Sequence, residues 1–229
     1  MTAGPQLALA FDHRPSLSGD DFLVAPNNAE AVGWIDRWPD WPGPALVVCG
    51  PSGCGRTHLA QVFRTRSGAR SIVSADLGAA EARTVLGDAP AIVLDDADAM
   101  AGPELEQGLL HLYTVVEQEG RTMLLTACSA PSRWPLALAD LSSRLKAAPA
   151  VEIGPPDDAL IAAVLVKLFA DRQLRVTDEV IQYALARMDR TVDAARRLVA
   201  AADSTALAER RNITVPLVRR ILGGTADGP

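Results

Sequence analysis

Two apolar runs stand out along the chain, Ala45-Leu-Val-Val-Cys49 and Ala91-Ile-Val-Leu94, each entered from a proline. Continuous apolar runs of this length read as strands buried on both faces. Ser71–Ser74, Thr122–Thr126 and Ala150–Ile153 repeat the pattern more weakly. Helix-like spacing falls between them, over Thr57–Arg66, Gly78–Leu86, Glu104–Glu119 and Leu136–Leu145. Strand and helix in alternation predict a parallel sheet of five strands with right-handed crossovers, an α/β domain.

The pattern changes after Gly154-Pro155-Pro156. Asp157 or Asp158 caps a helix running to about Arg172, with Leu160, Val164, Leu165 and Leu168 on one face. Further helices are predicted from Thr177, over Thr191–Ala208 and over Thr214–Leu222, with no strand signal among them. That is a small all-α bundle. Residues 1–24, rich in proline, serine and glycine, read as an irregular arm. The expected division is therefore an arm at 1–24, an α/β domain at 25–154 and a helical domain at 155–225.

Composition narrows the classes. With 48% apolar and 22% charged residues the chain has the balance of an ordinary globular protein, which excludes global disorder. Its longest apolar run, Ala159–Val166, is far short of the ~18 residues of a membrane span. No basic residue precedes the apolar stretch before Phe11, so no secretory signal is expected. Cys49, Cys54 and Cys128 form neither a disulfide framework nor a metal-ligand spacing, which fits a reduced, cytoplasmic protein. Residues 1–154 carry 11 cations and 18 anions, a net −7, whereas residues 155–229 carry 11 and 10, a net +1. An acidic domain of this kind is not built to bind duplex DNA through its phosphates.

Directly after the first strand comes Gly50-Pro51-Ser52-Gly53-Cys54-Gly55-Arg56-Thr57. This is the phosphate-loop spacing, in which glycines let backbone N–H groups wrap a phosphate at the start of the next helix. Arg56 stands where the pattern has lysine. Arginine keeps the charge but is longer, planar and forked, so the exchange changes the geometry. It could hold a diphosphate while misplacing the contact that a γ-phosphate needs. Only Lys146 and Lys167 are lysines, against 20 arginines, so a general drift to arginine is the plainer account. The third strand ends in Asp95-Asp96, an acidic pair that suits an Mg²⁺-ordering carboxylate and a water-positioning one.

These residues resemble the AAA+ ATPases, in the branch of the bacterial replication initiator DnaA and its shortened relative Hda. The resemblance spans roughly residues 20–222. It rests on Gly50–Thr57, Asp95-Asp96, the strand Leu124-Leu-Thr126 followed by Pro131, and Leu141-Ser-Ser-Arg144-Leu145. It implies an AAA+ fold: a five-stranded parallel sheet with flanking helices and a small C-terminal lid bundle. It stops at that bundle, without the helix-turn-helix domain that DnaA carries. Gly50, Pro51, Ser52, Gly53, Cys54, Gly55, Arg56, Thr57 and His58 would bind ADP or ATP, and Thr57 and Asp95 would hold Mg²⁺. Asp95 and Asp96 take the catalytic acid positions, and Arg144 that of an arginine finger acting on a neighbouring subunit.

Gln6-Leu7-Ala8-Leu9-Ala10-Phe11 is similar to the clamp-binding peptide of Hda, with Gln6, Leu7, Leu9 and Phe11 as anchors on an extended arm. The resemblance thus implies a cytoplasmic regulator of replication initiation. Such a protein binds the DNA sliding clamp (the polymerase III beta subunit) and promotes hydrolysis of DnaA-bound ATP. It would reach DNA only through the clamp and need no membrane.

Three positions depart from that family's pattern. Besides Arg56, Cys128 takes the polar sensor position after the fourth strand. Asp193 aligns with the lid arginine, with Arg190, Arg196 and Arg197 nearby. All three lie on the phosphate side of the site, so weak or absent intrinsic hydrolysis is expected. A stand-alone ATPase such as a helicase loader, and a nucleotide-independent scaffold, remain the alternatives. His13, His58 and His111 have no partners at metal-ligand spacing, and Trp34, Trp38 and Trp41 read as packing ahead of the first strand.

Overall fold

The computed structural model describes residues 22–79, 81–99 and 102–224. Five strands, β1 (Ala45–Cys49), β2 (Arg70–Ile72), β3 (Ala91–Leu94), β4 (Thr122–Ala127) and β5 (Ala150–Glu152), form one sheet in the order β2-β3-β4-β1-β5. Every pairing is parallel. β1, β3 and β4 are buried along their whole length, which is why they read as unbroken apolar runs. β2 and β5 close the two edges, and their burial is interrupted by exposed residues, which explains their weaker signal.

Beneath the continuous runs the period of two persists. Ala45, Val47 and Cys49 of β1 face one side, with Ile92, Leu94, Met123 and Leu125. That side is covered by α3 (Ser74–Ala79), α4 (Ala82–Leu86), α5 (Pro103–Gln118) and α6 (Ala139–Ala147) through Leu77, Leu86, Leu109, Leu112, Leu141 and Leu145. Leu46, Val48, Val93 and Leu124 face the other side, against α1 (Ala29–Asp36) and α2 (Arg56–Ser67). There Phe63 is fully buried between Trp41, stacked at 5.3 Å, and Trp38, edge-on at 5.7 Å. Burying an aromatic ring of this kind contributes roughly 1.5–3 kcal/mol. The indole N–H groups of Trp38 and Trp41 donate to Thr122 Oγ1 and the Trp34 carbonyl, both at 2.8 Å. The three tryptophans are thus core and framework residues.

Some elements differ from the expectation. The single helix predicted over Gly78–Leu86 is two short helices, α3 and α4, and α3 begins at Ser74, the residue expected to end β2. α1 was not anticipated. Asn28 starts it with its side chain turned back, accepting from Ala25 N at 2.9 Å and donating to Leu23 O at 3.0 Å. α6 begins at Ala139 rather than Leu136. The buried carboxylate of Glu106, on α5, accepts from the N–H groups of Ala137 (2.9 Å) and Leu138 (2.8 Å) and so anchors the approach to α6.

Residues 155–224 cluster as a separate compact unit. It comprises α7 (Asp158–Asp171), α8 (Asp178–Leu185), α9 (Val192–Glu209) and α10 (Val215–Gly224). Asp157 caps α7 by accepting from Leu160 N at 2.7 Å, and Thr191 caps α9 by accepting from Ala194 N at 3.1 Å. The seam of α7 is Ile161, Leu165 and Phe169, which meet Val180, Ile181, Leu198, Val199, Leu217 and Val218; Val164 and Leu168 are only partly buried. Among the described residues no helix is long and apolar enough to cross a membrane.

Candidate functional site

β1 delivers the chain to Gly50, and α2 carries it away from Arg56. Gly50 N donates to Ala127 O at 3.1 Å, which ties the start of the loop to the end of β4. Its φ is +155°, and a Cβ there would lie 2.3 Å from the Ile153 carbonyl oxygen, so only glycine fits. Gly53 and Gly55 also have positive φ, and Gly55 is the residue from which α2 starts. The sequence therefore builds a tight, glycine-dependent turn leading into a helix N-terminus, the backbone shape that receives an anion.

The acidic pair lies alongside because of strand order and register. β3 and β4 are neighbours with Leu94 opposite Leu125, so the next residues, Asp95 and Thr126, meet. Asp95 Oδ1 accepts from Thr126 Oγ1, and Asp95 Oδ2 accepts from Thr57 Oγ1 at 2.9 Å. Thr126 Oγ1 in turn accepts from Asp96 N at 3.0 Å, which holds Asp96 at a φ of +52°. Arg56 Nη2 donates to Asp96 Oδ1 at 3.3 Å. The Arg56 side chain is only 8% exposed, and its Nη1 is buried with no hydrogen-bond partner. Asp98 Oδ2 accepts from the N–H groups of Cys128 (2.8 Å) and Ser129 (3.2 Å), joining the turn after β3 to the end of β4.

The site is thus assembled from Gly50–Thr57, Asp95-Asp96 and Cys128, three places far apart in sequence. Thr57 Oγ1 and the Asp95 carboxylate are adjacent hard oxygen donors, the type that suits Mg²⁺. The glycine turn and the unpaired Arg56 Nη1 suit a phosphate. Donor atoms of Asp96, Asp98 and Cys128 also come within 4.8 Å of one another. There, however, Arg56 already sets a positive charge on Asp96, and Asp98 is engaged by two backbone N–H groups, so the cluster is balanced within the protein. Burial pushes the thiols of Cys49 and Cys54 above the usual range, with Glu152 adding to the effect at Cys49, so both are neutral structural groups.

Other anticipated residues are placed elsewhere. Arg144 is in the last turn of α6. Its Nη1 is 2.8 Å from Glu117 Oε2, its Nε is 3.0 Å from Asp140 Oδ1, and its guanidinium lies 5.5 Å over the Tyr113 ring. His58 stacks on Phe22 with ring centroids 5.2 Å apart. In the lid, Asp193 is exposed in the first turn of α9, and Arg190 is paired with Asp158, its Nη2 3.2 Å from Oδ2. The pairing lowers the Asp158 pKa. Gln6, Leu7, Leu9 and Phe11 lie outside the described residues. Thr126, Asp98 and Glu106 were not anticipated. Thr126 offered one signal, a hydroxyl near the end of an otherwise apolar strand.

Comparison with known proteins places this geometry. Residues 158–222 match the family described as the Hda lid domain. Over 192 residues the chain is 26% identical to an uncharacterized protein of Haemophilus influenzae, covering 80% of this chain and 83% of that protein. Among solved structures it is similar to domain III of the Thermotoga maritima replication initiation protein DnaA. The TM-score is 0.78 at 16% identity, with 90% of this chain and 95% of that one covered. It is also similar to AMPPCP-bound DnaA from Aquifex aeolicus, with a TM-score of 0.66 at 19% identity, over 82% of this chain and 65% of that one. A DnaA structure bound to AMPPCP and single-stranded DNA gives a TM-score of 0.65 at 20% identity, over 78% of this chain and 62% of that one. The fold is that of an AAA+ domain, a parallel five-stranded sheet between helices, followed by a helical lid.

Proposed function

From a chain that joins the AAA+ fold of DnaA domain III to an Hda-type lid, we propose a negative regulator of chromosomal replication initiation that acts on DnaA. The observation that carries this reading is the lid match at residues 158–222, directly after an AAA+ core. The regulator binds the DNA sliding clamp, the polymerase III beta subunit, through Gln6, Leu7, Leu9 and Phe11. It promotes hydrolysis of the ATP held by DnaA, with Arg144 as the finger, and it works in the cytoplasm with DNA reached through the clamp.

The loop Gly50–His58 binds an adenine nucleotide, ADP or ATP, where the glycine turn leads into the N-terminus of α2. Thr57 and Asp95 hold Mg²⁺, which when bound screens the phosphate charge. Thr126 fixes the Asp95 carboxylate and the Asp96 backbone. The chemistry driven by this chain is performed on its partner's nucleotide. A guanidinium supplied across an interface stabilises the charge that develops on the transferred phosphoryl group, an effect of about 10³–10⁵ in rate where arginine fingers serve GTPases.

A reconstituted assay with purified DnaA–ATP, clamp loaded on DNA and this chain tests the reading. Loss of DnaA-bound ATP should accelerate only when clamp and chain are both present. Equal rates with and without the chain would dismiss it in favour of a loader or scaffold.

A further inference from the structure

The phosphate loop contains one polar group whose bonding is incomplete. Arg56 is buried to 92% of its side chain, Nη2 is held by Asp96 Oδ1, the Cys128 side chain also lies against the guanidinium, and Nη1 makes no geometrically sound hydrogen bond. A buried cationic N–H without a partner is rare in folded proteins and is expected where a ligand completes it. Its complement is an anionic oxygen. The location agrees, because Arg56 is the first residue of a helix of 12 residues, directly after the glycine turn.

Asp96 is the second acid of the pair after β3, the one suited to positioning water. In this chain one of its oxygens faces Arg56, and its backbone is held by Thr126. Lysine at position 56 would end in a single ammonium. The arginine fork reaches two acceptors at once, one on each terminal nitrogen. The exchange therefore couples the loop to the acid.

We propose that Asp96 is a positioning residue for nucleotide binding: it holds the Arg56 guanidinium so that Nη1 meets a phosphate oxygen of a nucleoside diphosphate, and while so engaged it does not position water for hydrolysis. The proposal rests on the loop being a nucleotide site. It assigns Arg56 a specific structural task, in place of neutral drift from lysine, and it gives a cause to the weak intrinsic hydrolysis expected of this site.

The two roles of Asp96 predict opposite signs for one substitution. Removing a negative charge beside a phosphate site should tighten anion binding by simple electrostatics. Removing the anchor of a buried guanidinium should weaken it. Calorimetry with Mg-ADP on the full chain distinguishes them, comparing wild type, Asp96→Asn and Asp96→Glu. Asp96 is 57% exposed, and thermal unfolding of each variant, run alongside, separates a lost contact from a lost fold. The expected result is at least a tenfold loss of affinity for Asp96→Asn and partial recovery for Asp96→Glu. Unchanged or tighter binding in Asp96→Asn would overturn the proposal while leaving the nucleotide site intact; absence of binding in the wild type would remove both.

A second arm reads ATP hydrolysis. Arg56→Lys, which releases Asp96, should raise the rate at least tenfold, and adding Asp96→Asn should cancel the gain. No gain in Arg56→Lys, with ATP bound, would overturn the silencing role.

Discussion

Arg144 stands in the last turn of α6 with its guanidinium shared between Asp140 and Glu117 over the Tyr113 ring. These pairs lie at the surface, where solvent screening leaves them little weight in stability. Arg144→Ala should therefore fold with nearly unchanged stability by urea titration and bind the clamp normally, while its stimulation of DnaA-bound ATP hydrolysis falls to background. Full stimulation by the variant would remove Arg144 from the chemistry. Thr126 is the opposite case, fully buried and serving both Asp95 and the Asp96 backbone. Thr126→Val keeps the shape and removes the hydroxyl, leaving two polar groups short of a partner at about 1–3 kcal/mol each. Stability should drop by that order in urea, and Mg-ADP affinity should fall with it. At this scale Gly50–Thr57 and Asp95-Asp96 could be read directly, because each motif is complete within a few consecutive residues. Thr126, Asp98 and the Arg56–Asp96 pair could not. Their partners are 30 to 40 residues away and are brought close only by the sheet order, in which β4 lies between β3 and β1.

Among the elements, α5 and α3 pack against each other at Gly108. A Cβ on Gly108 would sit 2.1 Å from the Leu77 carbonyl oxygen, which is backbone and has little room to yield. Helix propensity alone makes alanine better than glycine in a helix interior by about 1 kcal/mol. The packing reverses the sign: Gly108→Ala should destabilise the protein by about 1–3 kcal/mol, measured by thermal or urea unfolding. A stabilised variant would show that α3 can move away at no cost. This crossing also explains why the α3–α4 region was misjudged from sequence. Apolar spacing at Gly78–Leu86 suggests one continuous helix, whereas α3 begins earlier and docks on α5 at Gly108. Long, strongly periodic segments such as α5 and α9 were readable, since many residues repeat the same signal. α1, entered through hydrogen bonds of Asn28 to its own neighbours, carries no such repeat.

For the whole molecule, strand order was legible only as far as the alternation of strand and helix, which predicts parallel pairing; the position of β1 between β4 and β5 is set by three-dimensional packing. Charge is partitioned as well, −7 up to Gly154 and +1 beyond it. The anchors of the N-terminal motif are mostly apolar, so clamp binding should respond weakly to salt, unlike a phosphate-driven DNA contact. Replacing both Leu9 and Phe11 with alanine should weaken clamp binding at least tenfold in a pull-down or calorimetric titration. Mg-ADP affinity should be unaffected, because none of these residues belongs to the loop. Retention of the clamp by the double variant would deny the arm its role.

The scarcity of lysine has a practical side. Only two side chains in the protein end in a primary amine, Lys146 and Lys167. Lys146 is exposed on α6 two residues after Arg144, and Lys167 lies on α7 beside Asp171. Acylating dyes and amine-directed cross-linkers therefore have two side-chain addresses on this protein, one next to Arg144 and one on α7. A Lys167→Arg variant leaves Lys146 as the sole side-chain target, a fixed chemical handle with which the proposed approach of DnaA can be tested by energy transfer or by covalent capture.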